Sequence, residues 1–164
     1  MENFDWTSFT KRIAIKSSLP EIYEAWTVAI NLEKWFLERA VFHHADGEQL
    51  EFTEPVKVGT LYDWFWYLES RPMHGEIITA NGKDFLQFSF EGSCLVDVKL
   101  STLDEYVILE LRHHNIPLDD YSKQHIHLGS SNGWTFYLQN LKSVYEGGID
   151  LRNKDAKLGV MINN

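Results

Sequence analysis

Cysteine is nearly missing from this sequence: Cys94 is the single one among 164 residues. One thiol excludes an intrachain disulfide, and it excludes a zinc cluster built from cysteines. Long apolar runs are missing too, since no stretch approaches the roughly 18 apolar residues of a membrane-spanning helix. The N-terminal segment is acidic and lacks the apolar core of a secretory signal. We therefore expect a cytoplasmic protein that does not enter a membrane.

Positive charge is also scarce. The chain has 15 Lys and Arg against 24 Asp and Glu, which gives a formal net charge of −9 at pH 7. This balance disfavours nonspecific binding to nucleic acid or to an anionic membrane surface, because both are negatively charged. Neither is expected as a partner.

Motifs for the common chemistries are missing as well. The chain has no phosphate-binding loop, no dinucleotide-binding glycine pattern and no G-x-S-x-G nucleophile motif. Cys94 lies in an apolar segment, where a thiol is normally unreactive. We therefore expect no cofactor, assign no catalytic residue and favour a binding protein over an enzyme.

Apolar and aromatic residues, by contrast, are plentiful: 44% of the chain is hydrophobic and 14% is aromatic. These fractions are typical of a globular protein, and the length fits a single domain. No linker or repeat divides the chain. We expect one domain over residues 8–148, with loosely attached terminal extensions over residues 1–7 and 149–164.

The hydrophobic periodicity predicts a strand, two short helices, a run of strands and one long helix. Residues 10–17 alternate between charged and apolar, Ser18 and Glu21 form a capping box before the first helix, and a second helix starts near Asn31. A final helix begins at Ser130 or Ser131 and carries a continuous apolar stripe. Seven strands with short turns, which favour antiparallel pairing, are predicted between the helices at 39–45, 49–53, 61–69, 73–80, 84–91, 93–103 and 105–114.

The sheet has one apolar face and the last helix has one apolar stripe. Both are buried most simply when the helix lies across the sheet, which is an α+β architecture. Several short patterns occur along the chain in a definite order. They are Ser18-x-Pro20-x-x-Tyr23-x-x-Trp26, Leu32-x-x-Trp35, Gly59-x-x-Tyr62-x-Trp64-x-Trp66, His74-Gly75-Glu76 and Gly133-Trp134-x-x-Tyr137-Leu138-x-x-Leu141-Lys142. In this order they resemble the Bet v 1/START-like (SRPBCC) superfamily, and within it the branch related to the C-terminal domain of the activator of Hsp90 ATPase.

This resemblance implies the helix-grip fold, in which a curved antiparallel sheet wraps around a long C-terminal helix and two short helices follow the first strand. Helix-grip proteins often keep a cavity between sheet and helix. The superfamily includes lipid carriers, hormone receptors, aromatase/cyclases and co-chaperones, so the fold alone does not determine the function.

The aromatic residues of the predicted strand 61–69 indicate where a cavity would lie. Tyr62, Trp64 and Trp66 share one face, which we assign inward. We predict a ligand-binding set of Trp35, Tyr62, Trp64, Trp66, Glu76, Phe88, His113, Trp134 and Leu138, in which Glu76 and His113 supply the polar contacts.

Three functions are compatible with this set. The first is noncatalytic binding of a hydrophobic small molecule, and the second is a co-chaperone-like protein-interaction module. The third is an enzyme of the cyclase or hydrolase kind that uses Glu76 or a histidine as acid or base. An ordinary packed core remains the alternative to a cavity.

Two further patterns have weaker interpretations. His125-x-His127 places two imidazoles on one side of an extended chain, but it lies in a polar segment read as a loop, and we expect no metal site. The opposite face of strand 61–69 carries Leu61, Phe65 and Tyr67, with Phe85, Leu95, Tyr106 and Ile108 on neighbouring strands. If these residues form one patch, it predicts a homodimer or a protein partner; otherwise the N-terminal Phe4 and Trp6 or the C-terminal tail would cover it.

Overall fold

Each strand of the sheet runs antiparallel to its neighbours in a computed structural model that describes residues 3–164. The strands are β1 (Phe9–Ile15), β2 (Arg39–His43), β3 (Leu61–Phe65), β4 (Met73–Ala80), β5 (Phe85–Phe90), β6 (Cys94–Leu103) and β7 (Tyr106–His114). They form one seven-stranded sheet in the order β1-β7-β6-β5-β4-β3-β2. Consecutive strands from β2 to β7 are neighbours, as short connections require, and β1 closes onto β7.

The first and last helices begin where predicted, whereas the second begins at Ala29 rather than near Asn31. Helix α1 (Leu19–Thr27) begins with the capping box, in which the Ser18 hydroxyl accepts from the Glu21 amide and Glu21 accepts from the Ser18 amide. Helix α2 (Ala29–Leu32) follows, and the long C-terminal helix is α3 (Ser131–Tyr145). Trp134, Leu138 and Leu141 of α3 are buried against the sheet. The predicted α+β helix-grip fold is therefore confirmed.

Two predicted strands differ from the structure. Residues 49–53 form no strand beyond a single bridge from Gln49 to His43, because Phe52 is exposed and a turn closes from Glu54 to Glu51. The strand predicted over 61–69 ends at Phe65, and three residues later Leu68 adopts a positive φ of 64°. Trp66 and Tyr67 therefore lie in a connection rather than on the sheet.

The segment read as a polar loop before α3 is helical. Ser122–Ser130 form a π-helix that runs directly into α3, and it starts where the Asp119 carboxylate accepts from the Ser122 amide and hydroxyl. The sequence did not indicate this helix, because the segment is polar and too few apolar residues mark a helical face. Long π-helical stretches are rare and are found frequently at functional sites.

The C-terminal tail, expected to be loose, is hydrogen-bonded to the domain. Arg152 is buried and donates to the main-chain oxygens of Leu37 and Glu33, each at 2.8 Å. Buried Asn140 of α3 donates to the Trp35 oxygen at 2.7 Å and accepts from the Leu151 amide. The tail then turns through a short 3₁₀ helix, Ala156–Leu158, and returns toward α3.

Candidate functional site

A cleft of about 520 Å³ opens between the sheet and the N-terminal part of α3. The connection from β3 to β4 forms one wall, and the π-helix with the first turns of α3 forms the other. The apolar lining is mostly aromatic and consists of Phe36, Trp66, Tyr67, Pro72, Met73, Phe90, Trp134 and Tyr137. Polar side chains lie among them: Glu69, Arg71, Glu91, His125, Ser130 and Asn164. An aromatic cleft with a few polar groups is the usual form of a small-molecule site.

The aromatic rings of the lining support one another. Phe36 packs edge-on against Trp66, with ring centroids 5.4 Å apart, and edge-on against Tyr137 at 4.9 Å. Phe36 also stacks on Trp134 at 5.2 Å. The Tyr137 hydroxyl donates to the main-chain oxygen of Asn164 at 2.7 Å, which holds the returning tail beside the cleft. These contacts hold the aromatic side chains of the cleft wall in place without a ligand.

The structure divides the sequence-predicted site residues into three groups. Trp66 and Trp134 line the cleft. The core beneath it contains Trp35, Tyr62, Trp64, Phe88 and Leu138, none more than 3% exposed. His113 and Glu76 lie elsewhere.

The inward placement of Glu76 is wrong. Gly75 and Ile77 of β4 face the core, so their neighbours His74 and Glu76 face outward, and Glu76 is exposed. The alternation of β4 places position 75 on the inner face, and the Tyr62 ring lies so close there that only glycine fits. Glu76 therefore cannot supply a polar contact to the cleft.

His74 instead pairs on the outer face with Asp63. The imidazoles of His74 and His43 both contact the Asp63 carboxylate, His43 at 3.1 Å. Burial by itself would raise the pKa of Asp63, but the two histidine contacts outweigh it and hold this pKa below its usual range. This cluster is separated from the cleft by the sheet.

Glu91 is the partly buried carboxylate of the cleft, and sequence reasoning missed it. It directly follows β5, and Ser130 at the end of the π-helix donates its hydroxyl to Oε2. Burial raises the pKa of Glu91, and the Ser130 hydrogen bond offsets only part of that effect. In the sequence, Glu91-Gly92 indicates only a turn between two strands.

Backbone strain is concentrated at the rim of the cleft. Among residues 3–164, four residues other than glycine have positive φ: Leu68, Glu91, Asp104 and Asn115. Asp and Asn tolerate this conformation, whereas for other side chains it costs about 1–2 kcal/mol. Of the two residue types poorly suited to it, Glu91 at φ 53° lines the cleft, and Leu68 at φ 64° lies between two residues of the lining, Tyr67 and Glu69. Such strain tends to persist where the surrounding structure has a functional use for it.

His113 faces the interior, as assigned, but does not line the cleft. It is fully buried between Phe9 and Phe90, whose ring centroids lie 5.1 and 5.7 Å away. Neither ring nitrogen has a hydrogen-bond partner within residues 3–164. Burial, with smaller contributions from His114 and His127, lowers the pKa of His113 to about 4.

We expect replacement of His113 by Phe to make the free energy of unfolding depend less on pH between about 4 and 6.5. The unfolded chain binds this proton near pH 6.5, but the folded protein binds it only near pH 4, so stability falls as the pH drops through this window. The slope from one such group is about 1.4 kcal/mol per pH unit. Urea unfolding at several pH values measures it. The variant His125→Phe keeps His113 and should keep the slope, and an unchanged slope in His113→Phe would contradict the assignment.

His125 and His127 have different surroundings. His125 lies against the Tyr121 ring at the cleft, whereas His127 contacts the Trp6 oxygen and the rings of Phe4 and Phe9. Within residues 3–164, no three His, Cys, Asp or Glu side chains gather in a metal-binding arrangement. None of the helices in this part of the chain is long and apolar enough to cross a membrane.

The outer face of the sheet differs from the continuous patch considered above. Phe65 is covered by the Arg39 guanidinium at 4.0 Å, and Tyr67 turns to the cleft beside Arg152 and Lys154. Charged residues lie between the apolar ones on this face. For example, Asp97 of β6 lies directly opposite Arg112 of β7. The N-terminal Phe4 and Trp6 pack on His127, so they do not cover this face.

The curved sheet, the C-terminal helix laid across it and the cleft at one end define a START-like helix-grip domain. The sequence model of the family described as "Activator of Hsp90 ATPase homolog 1-like protein" matches residues 16–146. The chain belongs to this family.

Solved structures with the same fold are only distantly related in sequence. Protein SSP2350 from Staphylococcus saprophyticus is 14% identical, with a TM-score of 0.68 over 88% of this chain and 96% of that one. A protein described as the Aha1 dimer from Colwellia psychrerythraea is 17% identical, with a TM-score of 0.66 over 86% and 97%. CalU16 from Micromonospora echinospora is 18% identical, with a TM-score of 0.59 over 82% and 73%. A search of curated protein sequences finds no match.

Proposed function

We propose that this protein binds a hydrophobic small molecule in the cleft between the sheet and α3, without catalysing a reaction on it. The observation that carries this proposal is the open 520 Å³ cleft walled by aromatic side chains. The π-helix in one wall and the strained backbone of Glu91 in the lining support it independently. Of the residues expected to bind the ligand, Trp66 and Trp134 line the cleft and would touch it, while the buried ones would support the wall from beneath.

Apolar contact alone would bind weakly. Burying about 300 Å² of apolar surface contributes roughly 7.5 kcal/mol, and association costs of about 4 kcal/mol or more oppose it. A ligand held tightly would therefore need one or two polar contacts in addition to the aromatic wall.

Replacement of Trp66 by Ala should weaken binding of an apolar fluorescent probe much more than replacement of Phe65 by Ala. The Trp66 ring forms part of the cleft wall, whereas the Phe65 ring packs under Arg39 on the outer face. Losing one aromatic wall costs about 1–2 kcal/mol, or roughly tenfold in affinity. Probe titration measures this once circular dichroism has shown that both variants fold. Equal effects of the two variants, or no binding at millimolar probe, would contradict the proposal.

A second candidate is a protein-interaction module, favoured by the family to which the chain belongs and by the relative described as a dimer. Native mass spectrometry of the purified protein distinguishes the two. A retained adduct of small-molecule mass supports cleft binding. A bare chain that pairs with itself or with purified Hsp90 supports the interaction module.

A further inference from the structure

Glu91 is a partly buried carboxylate that the protein leaves incompletely paired. Ser130 donates to its Oε2, and Oε1 accepts no hydrogen bond within residues 3–164. Glu91 forms no ion pair with a Lys, Arg or His in the same part of the chain, although Arg71 and His125 line the same cleft. A partly buried carboxylate without a cation is costly, so a positively charged group from outside would stabilise it.

The walls around Glu91 favour the same charge. Aromatic ring faces attract cations, and Phe90 immediately precedes Glu91 while Trp66, Trp134 and Phe36 complete the wall. A second carboxylate, Glu69, lines the cleft, whereas Arg71 is the one guanidinium among the lining side chains of the described residues. The cations beside Tyr67, Arg152 and Lys154, are both paired with Asp150. The net charge of −9 adds a long-range attraction for cations.

The position of Glu91 also argues against a purely structural role. At φ 53°, Gly, Asn or Asp would fit this turn with less strain than Glu. A longer side chain at that point reaches the cleft and the Ser130 hydroxyl, which a glycine could not do.

We infer that the ligand of this cleft carries a positively charged amine beside its apolar body, and that Glu91 receives this amine. The inference rests on the proposed function and adds the chemical class of the ligand. The amine donates to the free oxygen of Glu91, while Ser130 holds the other oxygen in place. The apolar body lies against Trp66 and Trp134.

Three probes that share one ring system but differ in charge test this inference. They are 1-naphthylmethylamine, 1-naphthylmethanol and 1-naphthoate, titrated calorimetrically at pH 7.5 into the whole chain and its Glu91→Gln variant. A charge-assisted hydrogen bond in a partly buried site should make the amine bind about tenfold more tightly than the alcohol. Glu91→Gln should abolish this preference, because the neutral amide no longer distinguishes the charged amine from the alcohol.

Glu76→Gln is the matched control, because it removes the same charge from the opposite face of the sheet and should preserve the preference. Equal binding of amine and alcohol, tighter binding of naphthoate, or a preference that survives in Glu91→Gln would overturn the inference while leaving the proposed function intact. Failure of all three probes to bind would instead overturn the proposed function. Should Glu91→Gln not fold, the amine and alcohol affinities of the unmodified protein still decide.

Discussion

Replacement of Arg152 by Met should lower the free energy of unfolding by about 3–5 kcal/mol, which is the usual cost of removing one partner of a buried ion pair. The Arg152 side chain is only 2% exposed, and its guanidinium donates to Asp150 at 2.7 Å and to two main-chain oxygens. Met fills the space without donating. It therefore leaves the oxygens of Leu37 and Glu33 unpaired and deprives Asp150 of its closest cation.

Lys154 provides the control for this experiment. Its amine also contacts Asp150, at 2.8 Å, but its side chain is 47% exposed. Lys154→Met should therefore cost less than about 1 kcal/mol. Urea denaturation at pH 7, followed by circular dichroism, measures both. Equal losses in the two variants would show that burial does not determine the strength of this network.

The stability of these variants should be measured at neutral pH, because the contribution of the Asp150 carboxylate depends on pH. Burial would raise the pKa of its carboxyl, but hydrogen bonds from Arg152, Lys154 and Asn140 outweigh this and hold it well below its usual range. A lowered folded-state pKa gives stabilisation that is fully present above the unfolded value, about pH 4, and is lost on further acidification. At pH 7 the whole contribution of the network is measured.

Gly75→Ala should be the second severely destabilising change, with an expected loss of about 3 kcal/mol from overpacking. A Cβ at this position would overlap the Cζ, Cε1 and hydroxyl oxygen of Tyr62, at distances that real Cβ contacts do not show. That ring cannot move aside, because it stacks on Trp64 with centroids 3.9 Å apart and its hydroxyl donates to the Ser89 oxygen at 2.6 Å. Thermal and urea unfolding measure the loss.

Two further variants show whether the collision is the cause. Gly133 on α3 has nothing within 4 Å of an added Cβ, so Gly133→Ala should be neutral or stabilise by up to about 1 kcal/mol through helix propensity. Tyr62→Leu removes the ring atoms that the new methyl meets. The double variant with Gly75→Ala should therefore lose less stability than the two single variants combined. Strict additivity would mean that Tyr62 is not what excludes a side chain at position 75.

The elements that the sequence predicted well are those with local causes. The capping box of Ser18 and Glu21 starts α1 through contacts within one turn, and the stripe of α3 is visible in the order of its apolar residues. The alternation in β5, β6 and β7 likewise appears as alternate burial. Each of these signals needs only neighbours a few residues apart.

Prediction failed where a residue's environment comes from distant parts of the chain. The strand predicted over 61–69 stops at Phe65, so Tyr67, which was assigned to the outer face, lines the cleft instead. Glu76 faces outward because its neighbour Gly75 takes the inner side, where the Tyr62 ring of another strand leaves room only for glycine. The loose tail proved to be anchored through Arg152 to main-chain oxygens more than 100 positions earlier, which no local pattern records.

By itself the sequence determined the fold class and the aromatic character of the interior, because periodicity and residue type specify which surfaces must be buried. The order of its short motifs indicated the resemblance to the family. Only the tertiary structure decided which aromatics are core and which line the cleft, since that depends on where a strand ends and a helix crosses it. It also decided that Glu91 and Ser130, 39 residues apart, meet in the cleft. Their side chains define the chemistry of the candidate site because folding brings two distant segments together there and partly excludes water.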